Sequence, residues 1–283
     1  MQGLMADGRA PKIIVLENVL GTLSSHDGRD FAAICGAFAK AGYYYGALVA
    51  DAVRFVPHSR PRLFVVGIHE DLADVAGGMA ARTPSPTWHP KALLNAREKL
   101  PAKARDKWLW WNPPAPPARQ STLADLVEEK PTGVEWHSAE ETAKLLAMMS
   151  DLNVEKVNEA KTAGRRMVGT VYKRTRRDEF GRKVQRAEIR FDDVAGCLRT
   201  PAGGSSRQVI VVVDGDEVRS RLISPRETAR LMGLPDTYVL PENYNEAYHL
   251  TGDGVAVPVV RHLARHIFEP LLEATPEPLK AVA

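Results

Sequence analysis

Lys12-Ile13-Ile14-Val15-Leu16-Glu17-Asn18-Val19 decides the reading of the fold: an apolar run is followed at once by a carboxylate and an amide. Such a run, rich in β-branched residues and free of Gly and Pro, predicts a buried strand over 12–16. Residues 30–41 are apolar-rich, read as helical and stop at Gly42, which predicts a helix. Apolar stretches at 43–50 and 63–68 predict two more strands. Strand, helix, strand, strand suits part of an α/β sheet covered by helices, and a unit this small leaves sheet edges that need partners.

Outward from this segment the texture changes. Pro84, Pro86, Pro90, Pro101, Pro113, Pro114, Pro116 and Pro117 interrupt any long element, placing a domain boundary near Glu70. Ser138 and Glu141 are spaced as a capping box, and Leu145, Leu146 and Met149 supply an apolar face, so 138–150 predicts a helix. Stretches 167–173, 185–191 and 208–213 read as strands of a mostly β module. Ser224-Pro225-Arg226-Glu227 is a second capping box with Pro in the first turn. Val257, Val260, Leu263 and Ile267 predict a terminal helix over 254–272, where Pro258 fits only the first turn.

Composition narrows the class. With 283 residues the chain can form two modest domains, and 44% hydrophobic with 26% charged residues excludes a disordered or fibrous chain. No apolar run approaches the roughly 20 residues that span a bilayer, and no basic segment with an apolar core opens the chain, so a cytoplasmic protein is expected. Cys35 and Cys197 cannot build a disulfide framework, and no clustered Cys/His spacing points to a metal. The net charge of +3 is modest, but 161–190 holds 11 Lys and Arg against three Asp and Glu, a local +8 that would attract a phosphate backbone.

Glu17 and Asn18 fall at the carboxyl end of the first strand, read as a central one, where α/β sheets place ligands. A carboxylate there can hydrogen-bond and protonate a ring nitrogen if burial raises its proton affinity; an N-cap or a surface ion pair is the structural alternative. Arg60 and Arg62 stand two apart before a strand, so period-two geometry puts both on one face as an anion-binding wall, or leaves each as a solvated charge.

These residues occur in a family order. Glu17-Asn18-Val19, then Pro57-His58-Ser59-Arg60-Pro61-Arg62, then 224–236 from Ser224-Pro225-Arg226-Glu227 to Leu234-Pro235-Asp236, then Gly252-Asp253-Gly254-Val255-Ala256-Val257-Pro258, resemble four motifs of the DNA cytosine-5 methyltransferases. The resemblance implies a partial S-adenosylmethionine-dependent methyltransferase (Rossmann-like) α/β sheet over 1–69. It further implies a smaller, mostly β target-recognition domain over 70–222, and returning helices over 223–283. It implies methyl transfer from S-adenosyl-L-methionine to C5 of a flipped cytosine in duplex DNA, as in restriction-modification systems. By the same resemblance Glu17 would bind and protonate cytosine N3, Arg60 and Arg62 would contact the base edge and a phosphate, and Asn18 would hold the local turn. His58 stands where the family usually has glutamine. Arg226 would support the recognition domain. A turn and helix start at Gly252, Asp253 and Gly254 would touch the methyl donor, with Asp253 in place of the usual asparagine. Arg174, Arg176, Arg177 and Lys183 would meet phosphates, the alternative being a solvated charged hairpin.

Part of the family pattern is absent from the sequence. Neither cysteine follows a proline, so neither matches the nucleophile, and both read as packing residues. No Phe-x-Gly-x-Gly loop precedes Glu17, and the glycine-rich segment 202–205 comes far too late. The chain is therefore expected to be the carboxy-terminal part of such an enzyme: a subunit completed by a second polypeptide, a truncated product, or a non-catalytic DNA-binding remnant. A subunit awaiting its partner would expose an apolar sheet edge over 12–16.

Overall fold

The computed structural model describes residues 3–4, 7–199 and 207–274. The glycine-rich segment 202–205 lies outside them. The chain divides into two compact units.

The first unit holds residues up to Asp51, Pro61–Pro116 and residues from Val259 onward. Its elements run β1 (Ile13–Val19), α1 (Arg29–Lys40), β2 (Tyr44–Asp51), β3 (Pro61–Ile68), β4 (Ala80–Ala81), α2 (Lys91–Glu98) and β5 (Trp110–Trp111). In α1, Phe31, Cys35 and Phe38 recur at helical spacing and are buried, and Gly42, at φ 82°, ends the helix in the left-handed region only glycine adopts freely. On the sheet face beneath, Tyr45, Ala47 and Val49 of β2 alternate with Leu63 and Val65 of β3, and Ile14 and Leu16 of β1 join the same core. Gly46 is required on the other face: a Cβ there would lie 1.8 Å from the Leu109 carbonyl oxygen.

The sheet order is β1-β3-β2, antiparallel throughout. This corrects the expectation of a central first strand: β3 is central and β1 is an edge. The strand also continues to Val19, so Glu17 and Asn18 lie within it, paired opposite Phe64 and Leu63, rather than beyond its end. Among the described residues no strand pairs with the outer side of β1, and Val15 (43% exposed) and Val19 (52%) lie along it.

The proline-rich stretch belongs to this unit, not to the second, which moves the boundary away from Glu70. Its prolines shorten the helices without removing their anchors: Leu93, Ala96, Leu100, Ala104 and Trp108 enter the core with α1. The Trp88 and Trp111 indoles donate to the Pro113 and Val66 carbonyls at 2.7 and 3.0 Å. His89 is buried against Trp110, accepts at Nδ1 from the Ser85 N–H at 2.8 Å, and burial lowers its pKa to about 4. Between about pH 6.5 and about 4 the unfolded chain binds the proton that folded His89 refuses, so stability falls as pH falls through that window, by up to about 3 kcal/mol. His137 and His262, lowered chiefly by burial, act in the same direction. Urea melts at about pH 7 and about pH 4.5 should show the loss, and His89→Gln should flatten it; an unchanged slope would exclude His89 as its source.

The second unit holds Ala52–Arg60 and Pro117–Pro258. Helices α3 (Ala139–Ala147) and α4 (Asp151–Thr162) precede β6 (Met167–Arg177), β7 (Lys183–Arg190), β8 (Val209–Asp214) and β9 (Glu217–Leu222), followed by α5 (Pro225–Leu231) and α6 (Tyr244–Asp253). The strands form one antiparallel sheet, order β7-β6-β8-β9. Val171, Ala187, Ile189, Val209, Val211 and Val213 bury its inner face with Leu145 and Val157. Both capping boxes form, at Ser138/Glu141 and Ser224/Glu227.

Residues 223–258 therefore pack with this unit instead of returning whole to the first. The physical cause is a close junction between the two late motifs. Gly233, at φ 74°, leaves room for Pro258, whose Cδ a Cβ would meet at 2.4 Å; the Val257 N–H donates to the Met232 carbonyl at 2.9 Å; and the Thr251 hydroxyl meets that of Thr228 at 3.0 Å. The predicted helix over 254–272 is instead α7 (Val257–Leu263), with Pro258 in its first turn, then a π-turn at Ala264–Phe268 and Glu269–Glu273.

Candidate functional site

In the first unit the antiparallel register sets Glu17 opposite Phe64 and Val19 opposite Arg62, so Glu17 and Arg62 are diagonal neighbours on one face of the β1–β3 ladder. The Arg62 Nε lies 2.9 Å from Glu17 Oε1, with side-chain exposures of 14% and 29%. Nη1 of Arg62 also donates to the Pro61 carbonyl at 3.0 Å, which fixes the guanidinium. This face is opposite to the one that carries Ile14, Leu16, Leu63 and Val65 into the core. The result is a carboxylate held in orientation by an arginine, beside the open edge of a sheet, and still partly reachable from solvent. Asn18 turns its Oδ1 back onto the Val19 N–H at 2.8 Å.

In the second unit His58 and Arg60 are locked into the fold. His58 is fully buried; its Nε2 accepts from the Leu198 N–H and its Nδ1 donates to the Leu231 carbonyl, both at 3.1 Å. A glutamine side chain offers the same pair of one donor and one acceptor, which is why histidine fits here. Arg60, 3% exposed, donates through Nη2 to the carbonyls of Gly252 (2.8 Å) and Gly254 (2.7 Å), and through Nη1 to that of Leu198 (3.1 Å), with Cys197 Sγ at 3.5 Å. Arg60 and Arg62 thus do not share one wall: Arg60 precedes the strand and binds backbone carbonyls of one unit, while Arg62 pairs with a carboxylate of the other.

Gly252 and Asp253 form the last turn of α6, and Gly254 is its C-cap. The expected turn and helix start is a helix end. Two of its carbonyls are taken by Arg60, and Asp253 is exposed. These three residues do not by themselves fit S-adenosylmethionine: two of their carbonyls are already taken by Arg60, and the Asp253 carboxylate can accept but not donate as the usual amide does.

Arg226 is half-buried on α5 and donates to the Pro235 and Tyr238 carbonyls at 3.4 and 2.9 Å, a local structural role. The buried charges of this motif lie elsewhere, on Glu227 (1% exposed side chain) and Arg221 (0%), which pair in bidentate fashion at 2.5 and 2.8 Å. Glu227 also accepts from the N–H groups of Ser224 (2.8 Å) and Glu128 (2.7 Å). Its capping-box place was visible in the sequence; its arginine, on β9, was not.

Cys35 is fully buried in α1, and burial pushes its thiol up to about 12, which keeps it an inert thiol. Cys197 is half-buried beside Arg60. The predicted DNA-binding residues all lie on the β6–β7 hairpin: Arg174 and Arg176 meet Glu188, the former at 3.3 Å, Arg177 donates to the Gly181 carbonyl at 2.7 Å, and Lys183 is exposed opposite Arg177. Among the described residues no helix is long and apolar enough to cross a membrane.

The family model of C-5 cytosine-specific DNA methylase matches residues 5–269, nearly the whole chain, and so does not itself mark the chain as a carboxy-terminal portion. The chain is 25% identical over 280 residues to the Type II methyltransferase M.HpaII of Haemophilus parainfluenzae, covering 92% of this chain and 61% of that protein. It is 26% identical over 275 residues to M.BsuFI of Bacillus subtilis, covering 96% and 51%. The chain thus spans between about half and three fifths of the length of these curated relatives. The solved structure of the Entamoeba histolytica methyltransferase EhMeth superposes with a TM-score of 0.52 at 12% identity, over 92% of this chain and 63% of that one. That likeness is one of fold, the mixed α/β class expected from the sequence.

Proposed function

The chain belongs to the C-5 cytosine-specific DNA methylase family, and from that premise we propose that it supplies the base-binding and DNA-recognition parts of a DNA cytosine-5 methyltransferase. The observation that carries the proposal is the Glu17–Arg62 pair, a carboxylate oriented by a guanidinium yet open on one side.

C5 and C6 of cytosine are hidden in the base stack, so the target base must leave the duplex before it can react. Glu17 then hydrogen-bonds and protonates N3, which draws electrons from the ring while a thiolate adds to C6 and C5 becomes nucleophilic. Arg62 holds the carboxylate in place and faces the base edge or its phosphate. S-adenosylmethionine supplies the methyl group. Arg60 has a positioning role within its own unit: it ties Leu198 to the carbonyls of Gly252 and Gly254.

The thiolate and the main donor-binding loop come from polypeptide outside this sequence. Cys35 is sealed in the core and Cys197 stands beside a buried arginine, which supports this division. The open outer side of β1, flanked by Val15 and Val19, is where a further strand would add. A non-catalytic DNA-binding role is the second reading, favoured by Arg60 being committed to backbone carbonyls rather than turned outward.

The recognition role lies with the second unit. Arg174, Arg176, Arg177 and Lys183 meet phosphates; the Arg174 and Arg176 pairs with Glu188 are surface pairs, worth about 0–1 kcal/mol and easily exchanged for a phosphate. Duplex DNA binding by the chain should weaken steeply with salt. Replacing Arg174, Arg176 and Arg177 with Ala should lower the slope of log K against log salt by about 0.9 for each phosphate that is no longer neutralised. An unaltered slope in the triple variant would remove these residues from the interface.

A further inference from the structure

The hairpin of β6 and β7 is more than a charged edge. Ala187 is fully buried and Tyr172 half-buried, but beyond them Arg174 to Arg177 and, on the return strand, Lys183, Gln185 and Arg186 are exposed. The two strands remain paired to Arg177↔Lys183, so a two-stranded ribbon stands clear of the sheet core for roughly 15 Å, taking about 3.3 Å per residue. Asp178 closes the tip by accepting from the N–H groups of Phe180 and Arg182.

Two features of this ribbon are costly for an isolated protein. Arg174 lies directly opposite Arg186, and Arg177 directly opposite Lys183; like charges at paired positions destabilise an antiparallel ladder. At the tip, Phe180 is 72% exposed, with the Arg182 guanidinium 4.9 Å from its ring centroid. Stretch 173–186 carries seven Lys and Arg against two Asp and Glu. A polyanion relieves the first cost, and a flat apolar surface within that polyanion relieves the second. Duplex DNA offers both, and its major groove, about 12 Å wide, admits a two-stranded ribbon.

Resting on the DNA-recognition reading above, we propose that the β6–β7 ribbon enters the major groove as an arm and that Phe180 at its tip presses into the base stack as an apolar wedge. The basic side chains on both faces of the ribbon then reach the two flanking phosphate backbones. Phe180 contributes no charge, so its effect separates from theirs.

The test uses the full chain and a fluorescein-labelled mixed-sequence duplex, with Phe180→Ala and Phe180→Trp measured beside the native protein across a salt series. Phe180 contributes nothing to the core, so both variants keep the fold. Phe180→Ala should bind about 5- to 150-fold more weakly, the range for losing one aromatic–base stack, with the salt slope unchanged, while Phe180→Trp retains affinity. A second duplex carrying 2-aminopurine should brighten on binding native protein, as a base unstacks, and not on binding Phe180→Ala. Native binding with equal affinity and equal fluorescence in Phe180→Ala would overturn the wedge while leaving DNA recognition intact. No salt-sensitive binding by the native chain would overturn both.

Discussion

A Glu17→Gln chain is expected to fold as the native chain does and, within a completed enzyme, to transfer methyl groups at least about 100-fold more slowly, since general acid catalysis contributes about 10²- to 10⁴-fold. The amide keeps the shape and still accepts a hydrogen bond from Arg62, but it has no proton to give to N3. Stability should change little: the pair is partly exposed, and such pairs are worth about 0–1 kcal/mol. Single-turnover transfer from labelled S-adenosylmethionine reads the chemical step, and a thermal melt checks the fold. Native turnover in Glu17→Gln would remove this residue from the reaction.

The largest effect on stability is expected at Glu227. Replacing it with Gln leaves the Arg221 guanidinium fully buried without its counter-charge, a loss of about 3–5 kcal/mol. That is a large share of the roughly 5–15 kcal/mol typical of a folded domain, so urea denaturation should show it plainly. The double variant Arg221→Met with Glu227→Gln removes the orphaned charge and should recover much of the loss, because desolvating an ion pair consumes most of what its attraction provides. A Glu227→Gln chain within about 1 kcal/mol of native would mean that the Ser224 and Glu128 N–H groups, not the ion pair, are what this carboxylate serves.

Local signals in the sequence were legible where a short rule governs them. The capping boxes at Ser138 and Ser224 start helices where their spacing requires, Gly42 stops α1, and Pro258 falls in a first turn. Pairing was not legible. An apolar run such as 12–16 is written alike for a central and an edge strand, so nothing in it revealed that β1, among the described residues, pairs on one side only or that it extends through Glu17 to Val19. Long-range partners were equally hidden. Arg60 and Arg62 differ by two positions, yet one seeks carbonyls nearly 200 residues away and the other a carboxylate on the neighbouring strand. Strand β9 and helices α4 and α6 were missed, the last because Tyr244–Asp253 has a weak apolar stripe behind its Asn243 cap.

The same contrast holds for the candidate site. Order of motifs led to Glu17, Arg60 and Arg62, and local charge marked the hairpin as a surface that would attract a phosphate backbone. What order could not say is that Gly252 and Gly254 face Arg60, that His58 bridges Leu198 to Leu231, or that the ion pair of the late motif lies between Glu227 and a strand residue. Each of these joins a side chain to distant backbone or to a distant strand, and is set by packing rather than by spacing.

The most direct measurement is methyl transfer from labelled S-adenosylmethionine to duplex DNA by the purified chain, alone and with a polypeptide carrying the Pro-Cys and Phe-x-Gly-x-Gly segments of the family added. Transfer only in the second case, abolished by changing the added cysteine to serine, is the predicted result. Transfer by the chain alone would contradict it and put the nucleophile at Cys35 or Cys197, whereas inactivity in both with DNA binding retained would make the chain a recognition protein without chemistry.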